Sequence, residues 1–288
     1  MPKTAKILLT GADGFLGSYV SEAFRFAGIA HTPSTIKDFD ILNKKDVLSK
    51  TRGFSEVIHL AGNVRTSATD TADNHFRINS IGTQNVLEAC RTNKIRRIVL
   101  ASTVEVYGET HKPVALSETA ITNPVDFYGQ SKLLAEHFCA EYHRKFGINF
   151  TALRFSYIYG NGMHPSRIVS KIVDSAVRGK KLNLSIDGDS FTDFIYVRDA
   201  SRAVLLALSK KRPLNRAINI SSGRKANVTD FIKAAKYFFP DLEVSVSRKK
   251  ENKNHHIYLN SLAKSILNFK PEYDIKSGLE DYISCLKK

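Results

Sequence analysis

KILLTGADGFLG, residues 6–17, reads as a short apolar strand that runs into a glycine-rich turn and then opens a helix. The turn carries glycines at 11, 14 and 17. Gly11 permits the tight turn, Gly14 lets the backbone approach a pyrophosphate, and Gly17 lets the helix pack on the strand. A loop that follows a strand and opens a helix is the setting in which such glycines cradle phosphate on backbone N–H groups. The spacing is GxxGxxG, which differs from the GxGxxG of ordinary dinucleotide folds. Asp13, Phe15 and Leu16 lie in the same stretch and join the three glycines as cofactor-contact candidates.

Outward from this loop the chain alternates short apolar runs with amphipathic stretches. After a helix over 14–28 comes a weak strand, IAHTPS, then a clear strand, EVIHLAG (residues 56–62). Residues 79–93 read as a helix with Ile81, Val86, Leu87 and Cys90 in an apolar stripe. RRIVLAS (96–102) and NFTALRFS (149–156) are strands, and a long helix spans 128–146 between them. Such alternation, with near-continuous apolar strands, predicts an α/β fold with a doubly wound parallel Rossmann sheet. Beyond Gly160 the pattern changes to a helix over 167–178, strands at KLNLSI and DFIYV, a helix to Leu208 and a late sheet strand over 217–221. From Asn227 onward it reads as mostly helical. The expected division is an NAD(P)-binding Rossmann domain of residues 1–160 and 193–221, with a small, mostly helical C-terminal substrate lobe of 161–192 and 222–288.

The 288 residues, 42% hydrophobic, are enough to bury a real core. The net charge of +15 suits either an attraction to anions or a solvated, lysine-rich surface. The densest basic cluster, RKKENKNHH at 248–256, holds no aromatic side chain on which bases stack, so no nucleic-acid partner is expected. His255 and His256, adjacent and without further ligands nearby, read as solvated rather than as a metal site. Cys90, Cys139 and Cys285 are far apart and odd in number, which suggests neither a disulfide framework nor a zinc site and fits a cytoplasmic protein. The opening residues run straight into a strand without a leader pattern, and no apolar run reaches membrane-span length.

YGQSK, Tyr128 to Lys132, is the second informative stretch. A tyrosine and a lysine four residues apart share one helix face. An ammonium beside a phenol favours the phenolate and lowers the tyrosine pKa, which suits a general acid/base for interconverting an alcohol and a ketone. A surface ion-pair spacing is the plain alternative. The acid that ordinarily holds the adenosine ribose at the end of the second strand is missing: Ser34 or Thr35 occupies that place, with Lys37 nearby. The gap permits NADP and mildly favours it over NAD. Asp40 and Ile41 are placed to contact the adenine.

The chain resembles the extended short-chain dehydrogenases/reductases, the nucleotide-sugar epimerase/dehydratase family. The match runs nearly end to end through GADGFLG, VIHLAG, NSIGTQNVLEAC, ASTVEVYG, YGQSK, LRFSYIYG, DFIYVRDAS and INISSG. The resemblance implies that Thr103 is the catalytic hydroxyl, Tyr128 the acid/base and Lys132 its activator and the holder of the nicotinamide ribose. It also implies cofactor contacts at Leu60, Ala61, Gly62, Asn79 and Phe155, and a homodimer through the helices around 79–93 and 129–146. Glu105 matches a glutamate of 4,6-dehydratases and decarboxylases, either a base or a binder of sugar hydroxyls. The aspartate that many dehydratases carry just before it is Val104 here, and valine cannot donate a proton. Tyr157 stands where the family usually has asparagine, and Thr192 where it commonly has a phosphate-clamping arginine; Arg65, Arg167 and Arg198 are the cations available instead. The resemblance implies an NAD(P)-dependent oxidoreductase or epimerase acting on a sugar, most readily a nucleotide-linked one, by 4-keto reduction or epimerisation. The alternatives are a dehydratase or decarboxylase using Glu105, a non-catalytic dinucleotide sensor, or a substrate that is not a nucleotide sugar.

Overall fold

The structure, a computed structural model, describes residues 6–64, 71–109, 114–186, 190–210, 214–248 and 256–286. In chain order the elements are β1 (Ile7–Thr10), α1 (Phe15–Phe26), β2 (His31–Ser34), α2 (Lys44–Lys50), β3 (Glu56–His59), α3 (Ala72–His75), α4 (Gly82–Thr92), β4 (Arg97–Thr103), β5 (Val114–Leu116), α5 (Phe127–Phe146), β6 (Asn149–Phe155) and β7 (Tyr157–Tyr159). They continue with α6 (Ile168–Val177), β8 (Leu182–Ile186), β9 (Phe194–Tyr196), α7 (Val197–Ser209), β10 (Arg216–Ile220), α8 (Val228–Phe238), β11 (Val244–Arg248), β12 (His256–Tyr258) and α9 (Ile275–Leu286).

Six strands form one sheet in the order β10-β6-β4-β3-β1-β2, and every pairing in it is parallel. Parallel strands joined by crossover helices are covered on both faces, which is why their sequences are apolar throughout: Ile7 to Thr10 are all buried. On one face Val20 and Phe24 of α1 meet Ala203 and Val204 of α7, together with Leu267 and Phe269 from the C-terminal region. On the other face Val47 of α2, Val86 and Leu87 of α4 and Ala135 of α5 close a second cluster. Each valine, leucine or phenylalanine among them stabilises the fold by roughly 1.5–3 kcal/mol on leaving water.

The order of strands reverses at β1, which pairs with β2 on one side and β3 on the other. Crevices at such a reversal, outside the carboxyl ends of the strands, are where open α/β sheets bind ligands. Thr10, His59 and Thr103 all end strands at this edge. α5 delivers Tyr128 to the same edge: Asp126 caps the helix, its side chain accepting from the Gly129 N–H at 2.7 Å, and so fixes where the first turn begins.

A third apolar cluster joins Ile172 and Val173 of α6, Phe231 of α8 and Leu279 of α9 to Tyr159 and Tyr196 beside the main sheet. The region after Asn227 has its helices but also two strands the sequence reading missed. β11 pairs with β8, and β12 pairs with β5. The β11 segment VSVSR alternates valine with serine, a strand pattern that the basic run following it obscured; β12 has only three residues. The helix expected over 79–93 also starts earlier, because α3 runs through a π-helical stretch, Phe76–Ile81, into α4.

Candidate active site

The glycine loop closes against β3. Gly11 has φ +70, and a Cβ there would lie 2.6 Å from the Ala61 nitrogen; a Cβ on Gly17 would lie 2.0 Å from the Gly11 carbonyl oxygen. Neither position admits a side chain without separating backbone from backbone. Gly14, at the start of α1, has φ −72 and no side-chain cap, so the first N–H groups of that helix face outward. Beside the loop is a cleft of about 330 Å³ walled by Gly11, Asp13, Gly14, Asp40, Ile41, Leu60, Ala61 and Gly62. A pyrophosphate-sized gap against uncapped N–H groups, with an apolar slot next to it, fits a dinucleotide.

One carboxylate that counting along the sequence did not bring to this end of β2 is present: Asp38 accepts from the Thr35 N–H at 2.5 Å. Asp40, expected beside the adenine, lines the cleft and accepts from the Leu42 N–H at 2.9 Å. Phe155 does not line the cleft: it is buried in the cluster that α1 and α7 form against the sheet, where Leu16 also packs, while Phe15 packs in the third cluster beside the sheet.

Thr103, Tyr128 and Lys132 come together at the end of β4. Lys132 is 6% exposed, and its ammonium donates to the Ala101 carbonyl at 2.8 Å. Gly62 leaves it room, since a Cβ there would lie 3.2 Å from Lys132 Nζ and 2.9 Å from Asn79 Oδ1. Asn79 is held in turn: its amide donates to the Asn63 carbonyl and to Ser131 Oγ, both at 3.0 Å. The Thr103 hydroxyl accepts from the Glu105 N–H at 3.2 Å, which caps the short 3-10 turn Val104–Tyr107 after β4, and it also hydrogen-bonds Tyr128. His75 stacks edge-on against the Tyr128 ring at 5.7 Å.

The electrostatics differ from the expected lowering of the phenol. Burial pushes the Tyr128 phenol up to about 12, and Glu105 adds to the rise; Thr103 and Arg167 pull the other way. Burial also brings Lys132 down to about 8, opposed by the nearby Glu136 carboxylate. Desolvation outweighs local charge here because both groups lie inside the protein.

The charges of Glu105 and Arg167 both reach the Tyr128 phenol, Glu105 raising its pKa and Arg167 lowering it. Val104, 2% exposed, packs with Tyr107, Leu116 and Tyr258. The position of the dehydratase acid is thus filled by hydrocarbon in an apolar cluster. The Tyr157 ring lies 5.9 Å from that of Phe194. Thr192 forms an antiparallel bridge with Ala226, its N–H donating at 2.8 Å. Arg198 is engaged elsewhere, donating to Asp281 at 2.6 Å. Arg65 and His255 lie outside the described residues, as does most of the basic run at 248–256; His256, expected to be solvated, is instead 2% exposed at the start of β12, packed against Tyr258.

Sequence reasoning missed four buried polar side chains at three places. His59 is 1% exposed and bonds to Thr10 Oγ1 at 2.8 Å and Thr83 Oγ1 at 3.1 Å. The Thr83 hydroxyl donates to the Asn79 carbonyl at 2.6 Å, so it accepts from His59 Nε2–H, and Nδ1 accepts from Thr10. Burial holds the ring neutral, with its pKa lowered to about 3. Asp193 accepts from Ser156 Oγ, from Ser222 N–H and Oγ, and from Gly223 N–H, tying β9 to the loop after β10. Glu136 and Arg154 form a buried pair at 2.6 Å. Each sits in a run that otherwise reads as plain strand or helix, and the one available signal was a charge or imidazole on an apolar face.

The fold and this site define a class: a dinucleotide-binding α/β protein with a hydroxyl–tyrosine–lysine set at the strand ends, the extended short-chain dehydrogenase/reductase type. The chain belongs to the NAD dependent epimerase/dehydratase family, whose family model matches residues 7–221. It is 30% identical, over 98% of both chains, to a Methanocaldococcus jannaschii protein that carries UDP-glucose 4-epimerase as a provisional name. It is 29% identical, again over 98% of both chains, to the uncharacterized UDP-glucose epimerase YtcB of Bacillus subtilis. Among solved structures, UDP-glucuronic acid 4-epimerase of Bacillus cereus, in complex with UDP-glucuronic acid and NAD, superposes with a TM-score of 0.86 at 27% identity, over 98% of this chain and 99% of that one. No helix among the described residues is long and apolar enough to cross a membrane.

Proposed function

We propose that this protein is an NAD(P)-dependent 4-epimerase of a UDP-linked sugar. The observation that carries the reading is the meeting of Thr103, Tyr128 and Lys132 beside the glycine-loop cleft while Val104 is buried in hydrocarbon. The substrate class is supported by the name of YtcB as a UDP-glucose epimerase and by the Bacillus cereus UDP-glucuronic acid 4-epimerase, which holds UDP-glucuronic acid and NAD.

Bound in the cleft, NAD(P) would exchange hydride with a sugar carbon. The chain's own part is proton handling and orientation. Tyr128 takes the hydroxyl proton as hydride leaves that carbon and returns it when hydride comes back to the other face. Thr103 donates a hydrogen bond to the substrate oxygen, and Lys132 holds the ribose and favours the ionised phenol. Glu105, Tyr157, Arg167 and Thr192 surround the sugar and its diphosphate. The nucleotide sugar lies against the lobe of 161–192 and 222–288, and the Rossmann part of 1–160 and 193–221 holds the cofactor. Two copies pair through α4 and α5 in the cytoplasm.

The test is incubation with UDP-glucose and UDP-glucuronic acid, with catalytic NAD and no added reductant, followed by chromatography of the sugars. The expected product is the 4-epimer. NADPH consumption with a 4-keto-6-deoxy nucleotide sugar and no epimer would make it a reductase; loss of water from the substrate would return the dehydratase reading through Glu105.

A further inference from the structure

Glu136 follows Lys132 by one helical turn, as Lys132 follows Tyr128, so the three share one face of α5. Glu136 is only 6% exposed, and its partners are specific. Arg154 donates to it through Nε at 3.0 Å and NH2 at 2.6 Å, and Ser102 donates to Oε1. Ser102 stands between Ala101, whose carbonyl receives the Lys132 ammonium, and Thr103. From Arg154 the chain of contacts continues to Tyr107, whose hydroxyl accepts at 3.0 Å and donates to Asn219 at 2.7 Å.

A buried ion pair is seldom a gain in stability over hydrocarbon of the same size. Its position beside the reacting groups gives it another use. We propose that Glu136 is a positioning residue of the active site: its carboxylate, held by Arg154 and Ser102, supplies the negative field in which Lys132 keeps its proton and fixes the strand end that carries Thr103. This rests on the functional proposal above.

Among the described residues the groups facing Lys132 are few. From α5 they are Tyr128, Glu136 and Cys139, from β3 it is His59, and behind Glu136 stands its ion-pair partner Arg154 of β6, which offsets part of the carboxylate's field; Asn79 is uncharged. His59 stays neutral across the working range, and burial raises the Cys139 thiol far above it. Glu136 is therefore the standing anion of the set. Burial alone pulls Lys132 toward the neutral amine.

The experiment compares wild type, Glu136→Gln and Glu136→Asp. Competitive acylation with acetic anhydride across a pH series, read by mass spectrometry at Lys132, gives its titration without any substrate. Turnover of UDP-glucose across the same series gives the alkaline limb of kcat/KM. In Glu136→Gln both midpoints should fall by about one pH unit, a tenfold change, while Glu136→Asp restores most of it. If the lone Arg154 charge prevents Glu136→Gln from folding, Glu136→Gln/Arg154→Met removes that charge and should show a smaller fall in the same direction, because the unpaired guanidinium no longer adds its own repulsion. Unchanged Lys132 midpoints, with only a lower melting temperature, would overturn the proposal. A wild-type Lys132 that titrates as expected in a protein that turns over no nucleotide sugar would sink the functional reading instead.

Discussion

Alanine placed at the glycines of the turn should give two different outcomes, and the pattern tests whether a dinucleotide lies there. In Gly17→Ala the new methyl would lie 2.0 Å from the Gly11 carbonyl oxygen, where ordinary contact begins at 3.4 Å. Helix and loop must part by about 1.4 Å, and both sides of the clash are backbone that cannot rotate away. Overpacking of this kind costs about 3 kcal/mol, enough for a roughly 100-fold loss of affinity even where the fold survives. Gly11→Ala adds left-handed strain to a 2.6 Å clash with Ala61 and should fare at least as badly. Gly14→Ala is the informative one. Its φ of −72 suits alanine, and its nearest contact, 3.2 Å, is mild. Stability should therefore change by less than about 1 kcal/mol, while NAD affinity falls at least about tenfold because the methyl stands where the pyrophosphate approaches. Titration calorimetry with NAD and thermal melts give both quantities on the same samples. A Gly14→Ala protein that binds NAD within about threefold of wild type would refute the placement of the phosphates.

Tyr128→Phe should lower kcat by about 10²- to 10⁴-fold, with NAD affinity nearly unchanged, as rapid-quench turnover and calorimetry would show. Asp193 has its pKa raised to about 6 by burial, despite four donors. The folded protein thus takes up this proton near pH 6 and the unfolded chain only near pH 4, so the site adds stability as pH falls between them, by up to about 3 kcal/mol. Urea unfolding of wild type and Asp193→Asn between pH 4.5 and 7.5 should show the difference narrowing or reversing upward in pH; a constant difference would contradict the assignment. Lys37→Ala should weaken NADP binding several-fold, by about 1 kcal/mol, and leave NAD alone; equal losses for both would show that Lys37 does not meet a 2′-phosphate.

Much of the fold was legible because the parallel strands are apolar on both faces and the helices between them are amphipathic. KILLT, VIHLAG and RRIVLAS could scarcely be anything else. Tyr128 and Lys132 were legible because their spacing is local. What stayed hidden depends on contacts distant in sequence. Arg154 reads as an ordinary residue of β6 until Glu136, 18 positions earlier, is seen against it. The upward displacement of the Tyr128 phenol arises from burial, which no spacing of charges reports. β12 is three residues long and is a strand only because β5, far upstream, receives it.

The placement of Leu267 and Phe269, both fully buried against the sheet with Ala203 and Ile218, bears on how the chain is made. The cofactor half of the molecule is not finished when its own first strands have left the ribosome. β6 keeps an open edge until β10 arrives, and the hydrophobic layer beneath stays incomplete until Phe269. At about 5–20 residues per second, the stretch from the end of β6 to the end of β10 leaves that edge unprotected for about 3–13 seconds. Synthesis of this protein should therefore depend on holding chaperones over that interval, and a chain that stops before Phe269 should be released as aggregate rather than as a smaller working domain.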